Sequence, residues 1–276
     1  MLAIKDVERI RARRYRRSGV RKIRTAEQAV RFIDEMGFVT IMGVPEYDLP
    51  DLAGASVNPG WHVDSAKWWW GWKQTLPERK RCYYAKILRR RGTFISWEMF
   101  PNFFAVYSSG RSYEDDWAAG LLDRDEKRIL DLLAERGPML TRDLRAAFAP
   151  RGKNHTAAFH RALGSLQVSF RIAVAGGDLS GWSMHRWAVV EQWVPRRYLQ
   201  KARRTDAEVA RRALIMKLLD VAIISTPEDI AWLFSWDRAR TREAVRRLIG
   251  EGRIIETSVK GLEGLYLALA DRKSSG

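Results

Sequence analysis

The strongest constraint in this 276-residue chain is a helical and strand pattern that occurs twice. At residues 208–269, AEVARRALIMKLLDVA is an apolar-periodic helix. TPEDIAWLF follows, with Thr226 as N-cap, Pro227 at the first helical position and Glu228 and Asp229 in the first turn. DRARTREAVRRLIGEG is a third helix, stopped by Gly250 and Gly252. RIIETSV and LYLALA then form two strands around a turn at 260–264. Three helices and a hairpin is the order of a winged helix, whose second and third helices form the helix-turn-helix. Residues 123–190 repeat the script: DRDEKRILDLLAERG, TRDLRAAF, KNHTAAFHRALGSLQ, and a hairpin with its turn at 176–181. Phe159, Ala162, Leu163 and Leu166 carry the spacing of a buried helix face. The predicted fold class is mainly α with small β-hairpins (α+β), as tandem winged helix-turn-helix domains. Expected bounds are a basic arm over 1–24, a Trp-rich, winged-helix-like domain over 25–118, and winged helices over 119–199 and 200–276.

In the Trp-rich domain, TAEQAVRFIDEMG predicts a helix capped by Thr25 and ended by Gly37. FVTIMGV is a short strand candidate. LPERKRCYYAKILRRRG predicts a further helix, and SYEDDW an exposed acidic linker. Six of the twelve tryptophans are Trp61, Trp68, Trp69, Trp70, Trp72 and Trp97. Three consecutive tryptophans cannot share one face. Trp70 and Trp72 are therefore the candidates for exposure and base stacking, flanked by Lys67 and Lys73. Aromatic core packing is the competing explanation for most of the cluster.

Charge points to a polyanion. The net charge is +16, and residues 1–24 hold ten basic residues against Asp6 and Glu8, half of the excess. Such an arm, with Arg13, Arg14, Arg16 and Arg17, contacts phosphates through counterion release without reading sequence. A frayed terminus or an Arg-rich transit segment is the alternative. Further DNA contacts are expected from Lys153, Asn154 and His155 at a helix entrance, from Arg161 after them, and from Arg240, Arg242, Arg246 and Arg247 on the last third helix. Lys260 in the final wing joins them. Pairing of Glu243 to Arg247 is the bland alternative for that helix. A lone Cys82 excludes an intrachain disulfide. No metal-ligand spacing and no phosphate loop are present, so no metal and no cofactor are expected. A membrane span is not expected, and neither is secretion. A monomer in the cytoplasm, associated with the nucleoid, is the expectation.

The helix ending in MGFVTIMG, the WGWK segment, the R-x-YY-x-K-[IL]-L-R run and the FHRALGSLQ helix resemble the winged-helix DNA glycosylases of the AlkZ/YcaQ type, in particular their AlkZ-related branch. The resemblance spans residues 25–270. It implies tandem winged helices, double-stranded DNA, intact or damaged, as partner, and monofunctional excision of alkylated or crosslinked bases without a metal. The family's Gln-x-Gln or Gln-x-Asp signature falls here on Thr40 and Met42. Breaking a glycosidic bond requires a carboxylate or amide to orient water or to stabilise the sugar cation. Neither residue supplies one, so base-excision chemistry is expected to be absent, or taken over by substitutes. Asp48 and Asp64 are the candidate substitutes from a loop that also holds Glu46, Asp51 and His62. Four functions therefore stand: a duplex-DNA-binding repair protein, an active glycosylase with replaced catalytic residues, a winged-helix transcription regulator, and a protein–protein interaction module, a use that winged helices also serve.

Overall fold

A computed structural model describes residues 2–17, 21–57, 69–149, 156–179 and 184–271. The chain opens with α1 (Ile4–Arg14) and α2 (Ala26–Met36). Thr25 and Gln28 form a reciprocal capping box at the start of α2. Gly37 ends it at φ +78°, where a Cβ would stand 2.7 Å from Lys217 Cε. β1 (Phe38–Thr40), α3 (Leu52–Ala55), α4 (Trp72–Glu78), β2 (Tyr83–Lys86) and β3 (Gly92–Ile95) follow. Their antiparallel sheet has the order β1-β3-β2. Next come α5 (Phe100–Tyr107) and α6 (Tyr113–Ala118). The middle unit consists of α7 (Arg124–Arg136), β4 (Met139–Leu140), α8 (Thr141–Phe148), α9 (Thr156–Val168), β5 (Ile172–Asp178) and β6 (Met184–Val189), with sheet order β4-β6-β5. After α10 (Val190–Trp193) and α11 (Arg196–Arg204) comes the last unit: α12 (Ala207–Ala222), α13 (Pro227–Phe234), α14 (Arg238–Gly250), β7 (Ile254–Thr257) and β8 (Tyr266–Leu269). Ser225 bridges to Leu267 in place of a first strand.

From α2 to β3 the order is helix, strand, helix, helix, strand, strand, the same as in the middle unit and with the same strand permutation. Two sequence expectations change here. The segment around Cys82-Tyr83-Tyr84 is a strand, because Tyr83 and Tyr84 are buried on opposite faces of the sheet, a period of two that a helix does not offer. SYEDDW is a helix, capped by Ser112, and its Asp116 is buried against Arg171.

The first sheet is buried on both faces. Phe38, Ile95 and Tyr83 align in register on one face and join Phe100, Phe103, Phe170, Leu218 and Phe234 in one core. Val39, Phe94 and Tyr84 align on the other and join Trp69, Trp72, Leu166 and Trp187 in a second. Burial of both faces explains why these short strands read as continuous apolar runs rather than alternating ones.

Polar contacts tie the units further. Tyr107 Oη donates to the Phe234 carbonyl at 2.7 Å and Tyr83 Oη to that of Ile172 at 2.9 Å. Lys217 Nζ donates to the Glu35 carbonyl at 2.8 Å. At the N-terminus, α1 is a docked helix. Ile4 N–H donates to the Lys260 carbonyl, and Arg11 donates to the carbonyls of Ala222 and Ile224 at the C-terminal end of α12. Cations belong at that negative helix end.

Candidate nucleic-acid interface

The N-terminal arginines are committed within the fold. Arg14 pairs with Asp220, Arg16 with Glu35, and Arg17 with Asp48 at 2.6 Å. This corrects the expectation of a free phosphate-gripping arm: α1 is a clasp between the first and last units, and of these residues only Arg13 is exposed without an ion pair to a described residue. On α14, Arg242 pairs with Glu228, and Arg246 and Arg247 share Glu243. Arg240 is exposed and makes no ion pair with a described residue. These are solvent-exposed pairs, each worth about 0–1 kcal/mol, which a phosphate can displace. Arg161 on α9 and Lys260 before β8 are exposed, although the Lys260 backbone is bound to Leu2 and Ile4. Asp64, Lys153, Asn154 and His155 lie outside the described residues.

The densest free charge lies on α11, which sequence patterning passed over. Arg196, Arg197, Lys201, Arg203 and Arg204 are all exposed, the helix has no acidic residue, and none of the five is in an ion pair with a described residue. Leu199 and Ala202 anchor the opposite stripe in the core. Tyr198 stacks on Trp97 with centroids 4.8 Å apart and planes 6° apart. Beside α11 is a cavity of about 520 Å³ whose rim includes Lys80, Arg196, Gln200 and Arg203. Glu191 also lines it, and burial raises the pKa of its carboxyl. RRYLQKARR was legible as a charge run with a narrow apolar stripe, the one signal that could have found it.

The expected catalytic positions hold no reactive group. Thr40 is fully buried and its hydroxyl donates to the Pro50 carbonyl at 3.3 Å; Met42 is half-buried against apolar side chains. Asp48 lies between Arg17 and Arg11, the latter at 3.6 Å, so its carboxylate is engaged. Cys82 is buried, which pushes its thiol up and away from the nucleophilic form.

A different set of polar groups converges where α4 meets the middle wing. Trp72, expected at the surface, is 5% exposed; its helix turns it into the core beside Trp69. Trp70 is half-buried, with its edge on Trp69. Lys73 is 5% exposed, and its ammonium lies 3.1 Å from the centre of the Trp70 ring. Burial, then the like charge of Lys86, lower its pKa to about 7. Gln74 is fully buried with neither amide atom hydrogen-bonded. His185 on β6 packs against Tyr84 and Trp187, and its Nδ1 has no partner. Burial, then Lys73 and Lys86, hold this histidine neutral, with its pKa lowered to about 3. Lys73 was visible in the sequence only as a charge flanking the tryptophans. Gln74 carried no signal, because its burial depends on the wing from another unit.

The fold resembles that of the Streptomyces sahachiroi DNA glycosylase AlkZ, with a TM-score of 0.65 and 11% identity, covering 99% of this chain and 71% of that one. Among curated proteins no match was found. Among the described residues no helix is long and apolar enough to cross a membrane. The family model described as AlkZ related matches residues 23–235, most of the chain, and the protein belongs to the AlkZ-related family.

Proposed function

We propose that this protein binds duplex DNA in a DNA-repair role. The observation that carries the proposal is the basic face of α11, none of whose five cations forms an ion pair with a described residue, beside a cavity lined by Lys80, Arg196 and Arg203, on a chain whose fold is shared with a DNA glycosylase. Five cations held by one helix, with no acidic neighbour on it, suit a phosphate backbone. Arg240, Arg161 and Lys260 are the expected secondary contacts.

The test is fluorescence anisotropy of a labelled duplex between about 50 and 300 mM salt. Each neutralised phosphate contributes about −0.9 to the slope of log affinity against log salt. Replacing Arg196, Lys201 and Arg204 with Gln is expected to make that slope shallower by about three units while the fold is kept. A salt-independent affinity, or an unchanged slope in the triple variant, defeats the proposal. A strong preference for one undamaged sequence favours a regulator instead.

A second function, base excision, is favoured by one observation: Gln74 offers a buried amide with both polar atoms free. That is the group able to orient a water where Thr40 and Met42 cannot. Incubation with alkylated duplexes is then expected to leave alkali-labile sites, and Gln74→Leu to abolish them with duplex affinity retained.

A further inference from the structure

The placement of Lys73 has a chemical consequence. Its side chain is buried on α4 with its ammonium on the Trp70 ring, and it has no carboxylate partner among the described residues. Lys86 on β2 is the charged group acting on it, and both lysines act on His185 of β6; Glu78 is further along α4 and faces Gly176 instead. A structural lysine is ordinarily paired or solvated. This one has the Trp70 ring as its partner in place of a carboxylate or water, and the amide of the following residue, Gln74, is buried and unsatisfied. Unsatisfied buried groups in a folded protein call for an explanation, and a desolvated amine held near a like charge without a counter-ion is how a nucleophilic lysine is prepared.

We propose that Lys73 forms a Schiff base with the ring-opened deoxyribose aldehyde of an abasic site, giving the protein an abasic-site lyase activity. The inference rests on the duplex-DNA function above. The neutral amine adds to the C1′ aldehyde carbon, forming a C–N bond, and the carbinolamine loses water to give a protonated imine. That cation draws electrons from C2′. A C2′ proton passes to water, the C3′–O bond breaks, and the 3′ phosphate leaves with its electron pair. Hydrolysis of the imine regenerates the amine, so no oxidant or reductant takes part. Gln74 offers a donor and an acceptor to the carbinolamine hydroxyl and acts as a positioning residue. The half-buried Trp70 must give up its contact with the ammonium and provides a face for the sugar or a neighbouring base.

The experiment is borohydride trapping with a duplex that carries one abasic site. Wild-type protein is expected to give a covalent protein–DNA band, with Lys73 as the modified residue in a peptide map. Its yield is expected to rise through pH about 7, well below an ordinary lysine. Lys73→Arg keeps the charge and is expected to lower trapping at least about 100-fold. Lys73→Gln is the second variant, its fold checked by circular dichroism. Binding of a duplex with a tetrahydrofuran abasic analogue, which has no aldehyde, is measured in parallel. No trapping by a wild type that still binds the analogue duplex overturns the lyase and leaves DNA binding standing. Trapping that survives in both Lys73 variants overturns the assignment to this residue. Failure to bind any duplex overturns both.

Discussion

At the residue scale, a buried charge without a counter-ion is a stability cost, and Lys73 makes the cost measurable. Its folded pKa of about 7 lies below the unfolded value near 10.5, so the unfolded chain binds more protons between those limits. Wild-type stability should therefore rise with pH across that window. Lys73→Met is expected to be more stable than wild type by roughly 2 kcal/mol near pH 7, an advantage that shrinks toward pH 10.5. Urea unfolding at three pH values measures this; a variant less stable at pH 7 would mean the lysine is favourably paired. The opposite case is Arg171, 1% exposed, held by Asp116, Ser109, Glu191 and the Arg111 carbonyl. Arg171→Met strands the Asp116 carboxylate and should cost about 3–5 kcal/mol. Adding Asp116→Leu should recover much of that loss, because the penalty belongs to the unpaired charge. Neither environment is present in the sequence near these residues: Asp116 and Arg171 meet across 55 positions.

At the scale of elements, two small pieces carry large consequences. The wing formed by β5 and β6 lies against α4 closely enough that a Cβ on Gly177 would stand 2.3 Å from the Met184 carbonyl oxygen and 2.5 Å from Gln74 Cγ. Backbone cannot move aside as a flexible side chain can. Gly177→Ala is therefore expected to displace the wing from α4 and expose Lys73 and Gln74. The expected readouts are a fall in melting temperature and a shift of the Lys73 amine toward an ordinary pKa, followed by acylation rate against pH. The second piece is α1. Because Arg11 and Arg14 cap and pair the end of α12, Arg11→Ala should lower the unfolding midpoint while leaving the salt slope of DNA binding unchanged. A lost salt slope with unchanged stability would return this helix to the role of a phosphate contact.

At the scale of the whole molecule, the two main cores each draw side chains from more than one unit, and the first sheet is shared by both. Cooperative units follow shared burial rather than chain segments. A single calorimetric transition is expected, with van't Hoff and calorimetric enthalpies in agreement. Two separated transitions would show the units to be independent.

The sequence by itself determined the helices with caps and periodicity, the order of the middle and last units, and the excess of positive charge. Those are local properties: Thr25, Thr226 and Asp237 cap the helices they precede, and Leu214, Leu218 and Leu248 repeat at helical spacing. Where signals compete locally, the tertiary structure decided. YYAK becomes a strand because both of its faces are covered. It also decided which charges remain free. A basic residue in sequence is an ion pair or an open contact only once its neighbours in space are known, and the acids that engage Arg14, Arg16 and Arg17 come from distant segments, whereas among the described residues no acid forms an ion pair with α11. The buried pair of Lys73 and Gln74 belongs to the same class. Their chemistry is set by removal of water, and water is excluded there by a wing that begins nearly a hundred residues further along the chain.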